Sequence, residues 1–255
     1  MITAITHRPS SKLTECNLTF LPKSQIDLKL ALDQHKVYCQ TLEDLGIKVI
    51  TLTENSSMPD SVFVEDTALV LDEIAIITSM GASSRKPESA LIENTLKEFR
   101  NTERISPPAR IDGGDVLRLG KKLFVGNSTR TNKKAVRALH KLVSPYGYEV
   151  IRVKVSDCLH LKTGCSSLDD NTILINPDWI NRDSFKEFKQ IEVPVDEPFA
   201  GCVLRVGDTV LMHSGFKRTI KLVEKYGFNV RPIDISEFQK AEAGITCMSI
   251  IFEAD

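Results

Sequence analysis

Three residue types in this sequence could act together in covalent catalysis if the fold brought them close. Cys247 lies in an apolar, β-branched stretch at residues 244–252, and His160 lies between two leucines. Neither residue alone is strong evidence for catalysis. A cysteine in such a stretch is most often a small buried hydrophobe, and a histidine between leucines is most often a hydrogen-bonded core residue. A thiol can attack an electrophile while a histidine moves protons and an acid such as Asp112 orients the histidine.

Three carboxylates fall within seven residues: Asp60, Glu65 and Asp66. One interpretation is an exposed strand edge that uses charge against aggregation. In a regular strand, however, Asp60 and Asp66 would share a face with the apolar residues at 62 and 64. Buried carboxylates require a cation, and a planar guanidinium matches two carboxylate oxygens at once. The segment therefore favours a guanidinium as its partner.

Two glycines separate Asp112 from Asp115, which permits a tight backbone between two acids. A glycine turn with solvated aspartates is the alternative. Cys158, His160 and Cys165 form another candidate set, for a metal, but their spacing matches no established zinc framework.

Hydrophobic periodicity predicts a repeating unit of strand, tight turn, strand, helix and strand. The predicted hairpins cover residues 63–77, 115–126, 158–175 and 202–212, which places His160 in a strand. The predicted helices cover residues 28–45, 88–100, 133–146 and 217–226, with a weaker one at 178–189. The strands that follow them are predicted at residues 47–52, 104–105, 148–153, 191–193 and 230–233.

Equivalent points of the unit, at Phe63, Asp112, Leu159 and Cys202, are 49, 47 and 43 residues apart. A unit of about 45 residues fits five times into the chain. The fifth unit is split, so that a strand at 248–253 pairs with one at 2–7 and closes a ring. The sequence thus predicts a single α/β domain, residues 1–255, whose first hairpin turns meet at the axis. That ring brings Cys247, His160, Asp112 and Asp66 together.

Composition excludes several classes of function. A net charge of −1 and the lack of a basic stripe argue against nucleic acid as a partner. No apolar run is long enough for a membrane span, and the N-terminus lacks a signal-peptide core. The six scattered cysteines suit a reducing compartment, so we expect a cytoplasmic protein.

Six motifs together resemble the dimethylarginine dimethylaminohydrolase family, in the superfamily that also holds arginine deiminases and amidinotransferases. They are DSVFVED at 60–66, GASSR at 81–85, DGGD at 112–115, RTN at 130–132, LHLKTG at 159–164 and TCMS at 246–249. The resemblance runs from end to end and implies a five-bladed α/β propeller of ββαβ repeats with five-fold pseudosymmetry. It also implies that Cys247 is the nucleophile, His160 the general acid and base, and Asp112 the acid that orients the histidine, with Asp115 as the rival for that role.

The same resemblance implies a set of substrate contacts. Asp60, Glu65 and Asp66 would contact the cationic groups, and Arg85 and Arg130 would hold the α-carboxylate. Leu18 would contribute from an early loop at 11–24, which lacks periodicity and is a candidate lid. Ala241 stands where the family usually has a larger aliphatic, so a contact there would be made by its backbone. The residues alone also allow Arg130 to be an ordinary surface arginine and the segment 11–24 to be an ordinary exposed loop.

The implied reaction is hydrolysis of a methylated arginine, a small-molecule substrate, to citrulline and an amine, without a metal or organic cofactor. Arginine deiminase is the nearest alternative, but deiminases carry an aspartate where this chain has Lys162, and they are longer. A non-catalytic arginine or citrulline sensor is the other alternative. The sequence leaves open the preference between mono- and dimethylated arginine, inhibition by zinc at Cys247 and His160, and the choice between monomer and homodimer.

Overall fold

The computed structural model describes residues 1–254, and Asp255, the last residue of the predicted domain, lies outside the described residues. Its strands form five separate three-stranded sheets with one common pattern, in which the middle strand pairs antiparallel with the first and parallel with the third. In repeat order, the sheets are β15 (Ile250–Glu253), β1 (Ile2–His7) and β2 (Lys48–Leu52); β3 (Ala68–Val70), β4 (Ala75–Ile77) and β5 (Thr102–Arg104); β6 (Val116–Leu119), β7 (Lys122–Asn127) and β8 (Glu149–Lys154); β9 (Cys165–Ser167), β10 (Thr172–Ile175) and β11 (Lys189–Glu192); and β12 (Leu204–Val206), β13 (Thr209–His213) and β14 (Asn229–Ile233). The predicted five ββαβ repeats are confirmed.

The split repeat joins the two ends of the chain. Strand β1 pairs with β15 from Ile2 opposite Glu253 to Ile5 opposite Ile250. The amino group of Met1 also donates to the carbonyl of Ala254 at 2.6 Å. The predicted pairing of the first and last strands is therefore confirmed.

A helix connects the second and third strands in four of the five repeats. These helices are α1 (Leu28–Asp44), α2 (Glu88–Leu96), α3 (Lys133–Val143) and α5 (Lys217–Lys225). Two further one-turn helices, α4 (Leu161–Gly164) and α6 (Ser236–Gln239), lie outside these connections. Their buried faces pack on the sheets, as at Ala31, Tyr38 and Leu42 of α1. No helix within residues 1–254 is long and apolar enough to cross a membrane.

The helix predicted at 178–189 is wrong. The structure has only a short 3₁₀ turn there, Arg182–Phe185. Two asparagine side chains explain the difference, because Asn176 accepts from the amide of Asp178 and Asn181 accepts from the amide of Asp183. Such local side-chain bonds offer the backbone an alternative to helical hydrogen bonds.

Every first strand begins later than predicted, and one helical turn precedes each of them. These axial turns are Val64–Thr67, Gly113–Asp115, Leu161–Gly164, Pro198–Gly201 and Ile245–Met248. His160 therefore precedes a helical turn, and the strand predicted for it is wrong. The strand parity assumed for residues 60–66 is wrong for the same reason.

The axial turns contact one another in sequence around the axis. Gly113 lies so close to the turn before it that a Cβ would come within 2.0 Å of the Glu65 carbonyl oxygen, which makes glycine necessary there. The carboxylate of Asp115 accepts a hydrogen bond of 3.0 Å from the backbone amide of Leu161. The second, third and fourth repeats of the chain are thereby linked at the axis.

The remaining axial contacts close the ring. A Cβ on Gly201 would lie 2.7 Å from the backbone of Gly164, so these two turns also touch. Cys202, just after the Gly201 turn, contacts the hydroxyl of Thr246 at 3.5 Å, and Thr246 donates to Glu65 at 2.9 Å. The five turns thus form a closed ring, and the predicted axial position of the candidate residues follows from it.

Candidate active site

Cys247 lies in the last axial turn, immediately before β15. Its sulfur accepts a hydrogen bond of 3.3 Å from the amide of Gly244, and a Cβ on that glycine would come within 2.1 Å of the Cys202 sulfur. The hydrogen bond with Cys202, burial and the neighbouring Glu65 together hold the pKa of Cys247 well above its ordinary value. At neutral pH this cysteine is a thiol when no cationic ligand lies beside it.

The ring of His160 contacts Asp112. Their atoms Nε2 and Oδ2 are 3.0 Å apart, and the other carboxylate oxygen of Asp112 accepts from the amide of Gly81 at 2.6 Å. Burial lowers the pKa of His160, but Asp66, Asp112 and Asp115 outweigh it and raise the pKa to about 9. His160 is therefore an imidazolium at neutral pH and begins as a proton donor.

Asp115 holds the backbone after the histidine rather than its ring. It accepts from the Leu161 amide, as described, and from the hydroxyl of Ser128. Burial raises the pKa of Asp115 to about 6, against the opposing charge of His160. Of the two rivals that the sequence offers, the structure places Asp112 against the imidazole.

Asp66 lies between the histidine and a buried arginine. Its Oδ2 is 2.5 Å from Nη1 of Arg85, while its Oδ1 accepts from the amide of Gly114 at 3.0 Å and lies 3.8 Å from Nε2 of His160. Burial raises the pKa of Asp66, but the charges of His160 and Arg85 prevail and lower it to about 2. Asp66 is therefore an anion close to the imidazole of His160.

The other two acids of the 60–66 segment face different partners. Asp60 accepts from both the backbone amide (3.1 Å) and the side-chain amide (2.7 Å) of Asn17, in the early loop. Glu65 forms an ion pair of 2.6 Å with Lys162, and both residues line a second cavity of about 340 Å³, which Asp60 does not line. That these acids contact the cationic groups of a substrate stays a prediction.

Arg85 is buried and has protein partners of its own. Glu88 accepts from its Nε at 3.1 Å and from its Nη2 at 2.9 Å, and the carbonyl of Phe63 accepts from Nη2 at 2.8 Å. Burial raises the pKa of Glu88 to about 7, although the charge of Arg85 opposes this. The guanidinium partner that the buried acids require is therefore supplied in part by the protein itself.

Arg130 is more accessible than Arg85 and points to the early loop. Its Nη2 donates to the hydroxyl of Thr19 at 3.1 Å, and its Nη1 lies 3.8 Å from Asp112. Leu18, the loop residue expected to contact the substrate, is half-buried between Asn17 and Thr19, which are both held by cavity residues. The early loop therefore covers the site.

Seven of the ten predicted site residues line one small cavity of about 20 Å³: Cys247, His160, Asp60, Asp66, Arg85, Arg130 and Ala241. Asp112 contacts the ring of His160 without lining the cavity, and Glu65 does not line it either. Sequence reasoning missed the partners Asn17, Glu88 and Glu242. Asn17 and Glu242 have no local pattern to mark them, because their partners are distant in the sequence. Glu88 is only three residues from Arg85, and that spacing is the signal that could have found it.

Asp66, Asp112 and His160 place one ligand atom each within 4.8 Å of one another, so this group could also hold a metal ion. The positive charges of Arg85 and of protonated His160 oppose a cation there. The absence of a cofactor stays a prediction.

Comparison with known proteins identifies related chains. A family profile described as "N,N dimethylarginine dimethylhydrolase, eukaryotic" matches residues 20–251. Two bacterial proteins named N(G),N(G)-dimethylarginine dimethylaminohydrolase are similar over most of their length. The one from Pseudomonas aeruginosa is 33% identical over 97% of this chain and 98% of its own, and the one from Streptomyces coelicolor is 34% identical over 97% and 95%.

Solved structures show the same fold. A cysteine-to-serine mutant of the Pseudomonas aeruginosa enzyme, complexed with citrulline, superposes with a TM-score of 0.94 at 32% identity and covers 98% of both chains. The N-terminal domain of an arginine dihydrolase from cyanobacteria shares the fold at 20% identity, with a TM-score of 0.90 over 99% of this chain and 98% of its own.

Proposed function

Since this chain belongs to the dimethylarginine dimethylaminohydrolase family, we propose that it hydrolyses Nω-methylated L-arginine to L-citrulline and methylamine or dimethylamine. The observation that carries this proposal is that Cys247 and His160, from different repeats, line one small cavity, while Asp112, from a third repeat, contacts the ring of His160. We further propose that residues 1–255 act as one catalytic domain in the cytoplasm, as a monomer or homodimer.

We assign each part of the substrate to cavity residues whose charges suit it. Asp66 would bind the guanidinium, because it is an anion beside both His160 and Cys247. Asp60 would contact the α-ammonium group together with the backbone of Leu18 and Ala241. Arg130 would hold the α-carboxylate and Arg85 would assist, since most of its N–H groups already bond to Glu88, Asp66 and Phe63. Glu65 would help Asp66 to hold the guanidinium, while Lys162 balances the charge of Glu65.

In the first step the bound cation favours ionisation of the Cys247 thiol, which loses its proton to solvent. The resulting thiolate attacks the central guanidinium carbon. A free guanidinium resists attack because its charge is delocalised, so the carboxylates must hold it in plane while sulfur approaches perpendicular to it. His160 then gives its proton to the departing amine, and a thiouronium remains on Cys247.

In the second step the neutral His160 accepts a proton from water, and the hydroxide adds to the thiouronium carbon. His160 is protonated again by this proton transfer. As the tetrahedral adduct collapses, its C–S bond breaks and its hydroxyl proton passes through solvent to the Cys247 thiolate, which leaves citrulline and the Cys247 thiol. Asp112 supports both steps by fixing the ring and stabilising the imidazolium.

Citrulline formation from separate methylated and unmethylated substrates tests the proposal. We expect chelator-treated protein to form citrulline from asymmetric dimethylarginine, because the acids bind the cation and the reaction requires no metal. Turnover of plain arginine in preference to the methylated substrate would indicate a deiminase instead. Failure with both, accompanied by tight binding of citrulline, would favour the sensor alternative.

The raised pKa of Cys247 predicts slow alkylation of the free enzyme. Inactivation by iodoacetamide should keep accelerating as the pH rises beyond about 8.5, where an ordinary thiol is half ionised. Mass spectrometry of the modified peptide would identify the cysteine. A rate that levels off below neutral pH would mean that Cys247 is already a thiolate without substrate and would contradict this part of the mechanism.

A further inference from the structure

One carboxylate holds three consecutive amides of the early loop. Glu242 accepts the backbone N–H groups of Thr19, at 2.8 Å, and of Phe20 and Leu21. Hydrogen bonds from backbone amides to a carboxylate are charge-assisted and about twice as strong as neutral ones. The three contacts fasten the loop segment 19–21 to the turn that follows α6.

The backbone of Glu242 is strained in a way that local preference does not explain. Its φ is +58°, in the left-handed region, and only one other non-glycine residue in the described chain has a positive φ. Glycine or asparagine would fit such a position at lower cost. A glutamate there is explained by its side chain, which reaches the loop amides from this backbone conformation.

Glu242 also separates two cavities. It lines the small cavity with Cys247 and a larger, mostly apolar cavity of about 410 Å³, which Leu21 and Pro22 of the loop border on the other side. The small cavity, at about 20 Å³, has room for little more than one water molecule. A methylated arginine is much larger than this, so the cavity walls, which include Asn17 of the loop and Glu242, must move apart when the substrate binds.

From these contacts we propose that Glu242 is a positioning residue for the reaction, which latches the loop over the bound substrate and releases it for exchange of substrate and product. This inference rests on the proposed hydrolysis. The latch acts through Leu18, which lies between Asn17, held by Asp60, and Thr19, held by Glu242. Because Ala241 precedes Glu242, one turn supplies both a substrate contact and the latch.

Glu242 has little capacity left to bind the substrate's ammonium group directly. Both of its carboxylate oxygens already accept loop amides, Oε2 from Thr19 and Oε1 from Phe20 and Leu21. Glu242 should therefore influence substrate binding through the loop. The motion of the loop amides can be measured without turnover.

The test compares Glu242→Gln and Glu242→Ala with Glu15→Gln, which removes an exposed carboxylate from the same loop. Loss of the charged acceptor should raise KM for the methylated substrate about tenfold in the glutamine variant and further in the alanine variant, with a smaller change in kcat. Hydrogen exchange of amides 19–21 should quicken in the same order, while strand β13 exchanges as in the parent protein. Glu15→Gln should change neither quantity.

The two readouts distinguish the latch from other outcomes. A raised KM with unchanged exchange at 19–21 would overturn the latch and make Glu242 a direct substrate contact. Faster exchange throughout the protein would show that Glu242 only stabilises the fold and would also overturn the proposal. If the parent protein forms no citrulline, the proposed function fails, yet exchange at 19–21 still decides whether Glu242 holds the loop.

Discussion

Replacing Cys247 by serine should lower kcat for citrulline formation by at least about 10⁴-fold. A serine hydroxyl is far less acidic than a thiol, and His160 cannot act as its base because it is protonated at neutral pH, with a pKa raised to about 9 by its acidic neighbours in spite of burial. Rapid acid quenching and mass spectrometry would show a thiouronium adduct on Cys247 of the parent enzyme and none in the variant.

Cys39→Ser is the matched control for this experiment, because Cys39 is a half-buried free thiol on α1, outside the cavity that Cys247 lines. Its activity should stay within about twofold of the parent. Retention of citrulline formation in Cys247→Ser would remove Cys247 from the mechanism and direct attention to a water molecule as the attacking group. Binding of citrulline by the serine variant should persist, since the substrate contacts are unchanged.

The five-fold repeat could be predicted because each unit repeats the same alternation of apolar residues and the same turn residues. Helix α1 was predicted within one residue of its observed end, as its periodicity extends over four turns. The axial turns could not be predicted in this way. A single turn such as Leu161–Gly164 is too short to show a helical period, and its apolar residues are equally typical of a strand.

The site could be predicted as a group, because its members occupy equivalent points of different repeats. Individual contacts within it could not. Sequence shows that Asp112 and Asp115 flank two glycines, but only the fold shows that one contacts the imidazole while the other accepts from the Leu161 amide. The role of Glu242 was missed because its partners are more than two hundred residues away in sequence.

The comparison of Asp112→Asn with Asp115→Asn tests which acid serves the histidine. Asp112→Asn should lower kcat by about 10²- to 10⁴-fold, because an amide neither stabilises the imidazolium nor enforces the productive ring orientation. In Asp115→Asn the new amide oxygen can still accept from the Leu161 amide, so its kcat should fall much less. Asparagine is uncharged and has nearly the same size as aspartate, so neither variant should lose activity through a cavity left in the core.

The pH dependence of kcat/KM should also differ between the two variants, in a direction that the structure predicts. Activity requires His160 as an acid, so it is lost at high pH as the imidazolium loses its proton near pH 9. Removing the charge of Asp112 destabilises the imidazolium, lowers the pKa of His160 and moves the basic limb of kcat/KM to lower pH. Asp115 has no hydrogen bond to the ring of His160, so Asp115→Asn removes only a neighbouring charge. It should therefore move the basic limb in the same direction but by a smaller amount. If Asp115→Asn moves the limb further and lowers kcat more, the roles of the two acids are reversed, because the larger effect must belong to the acid that both contacts and orients the ring.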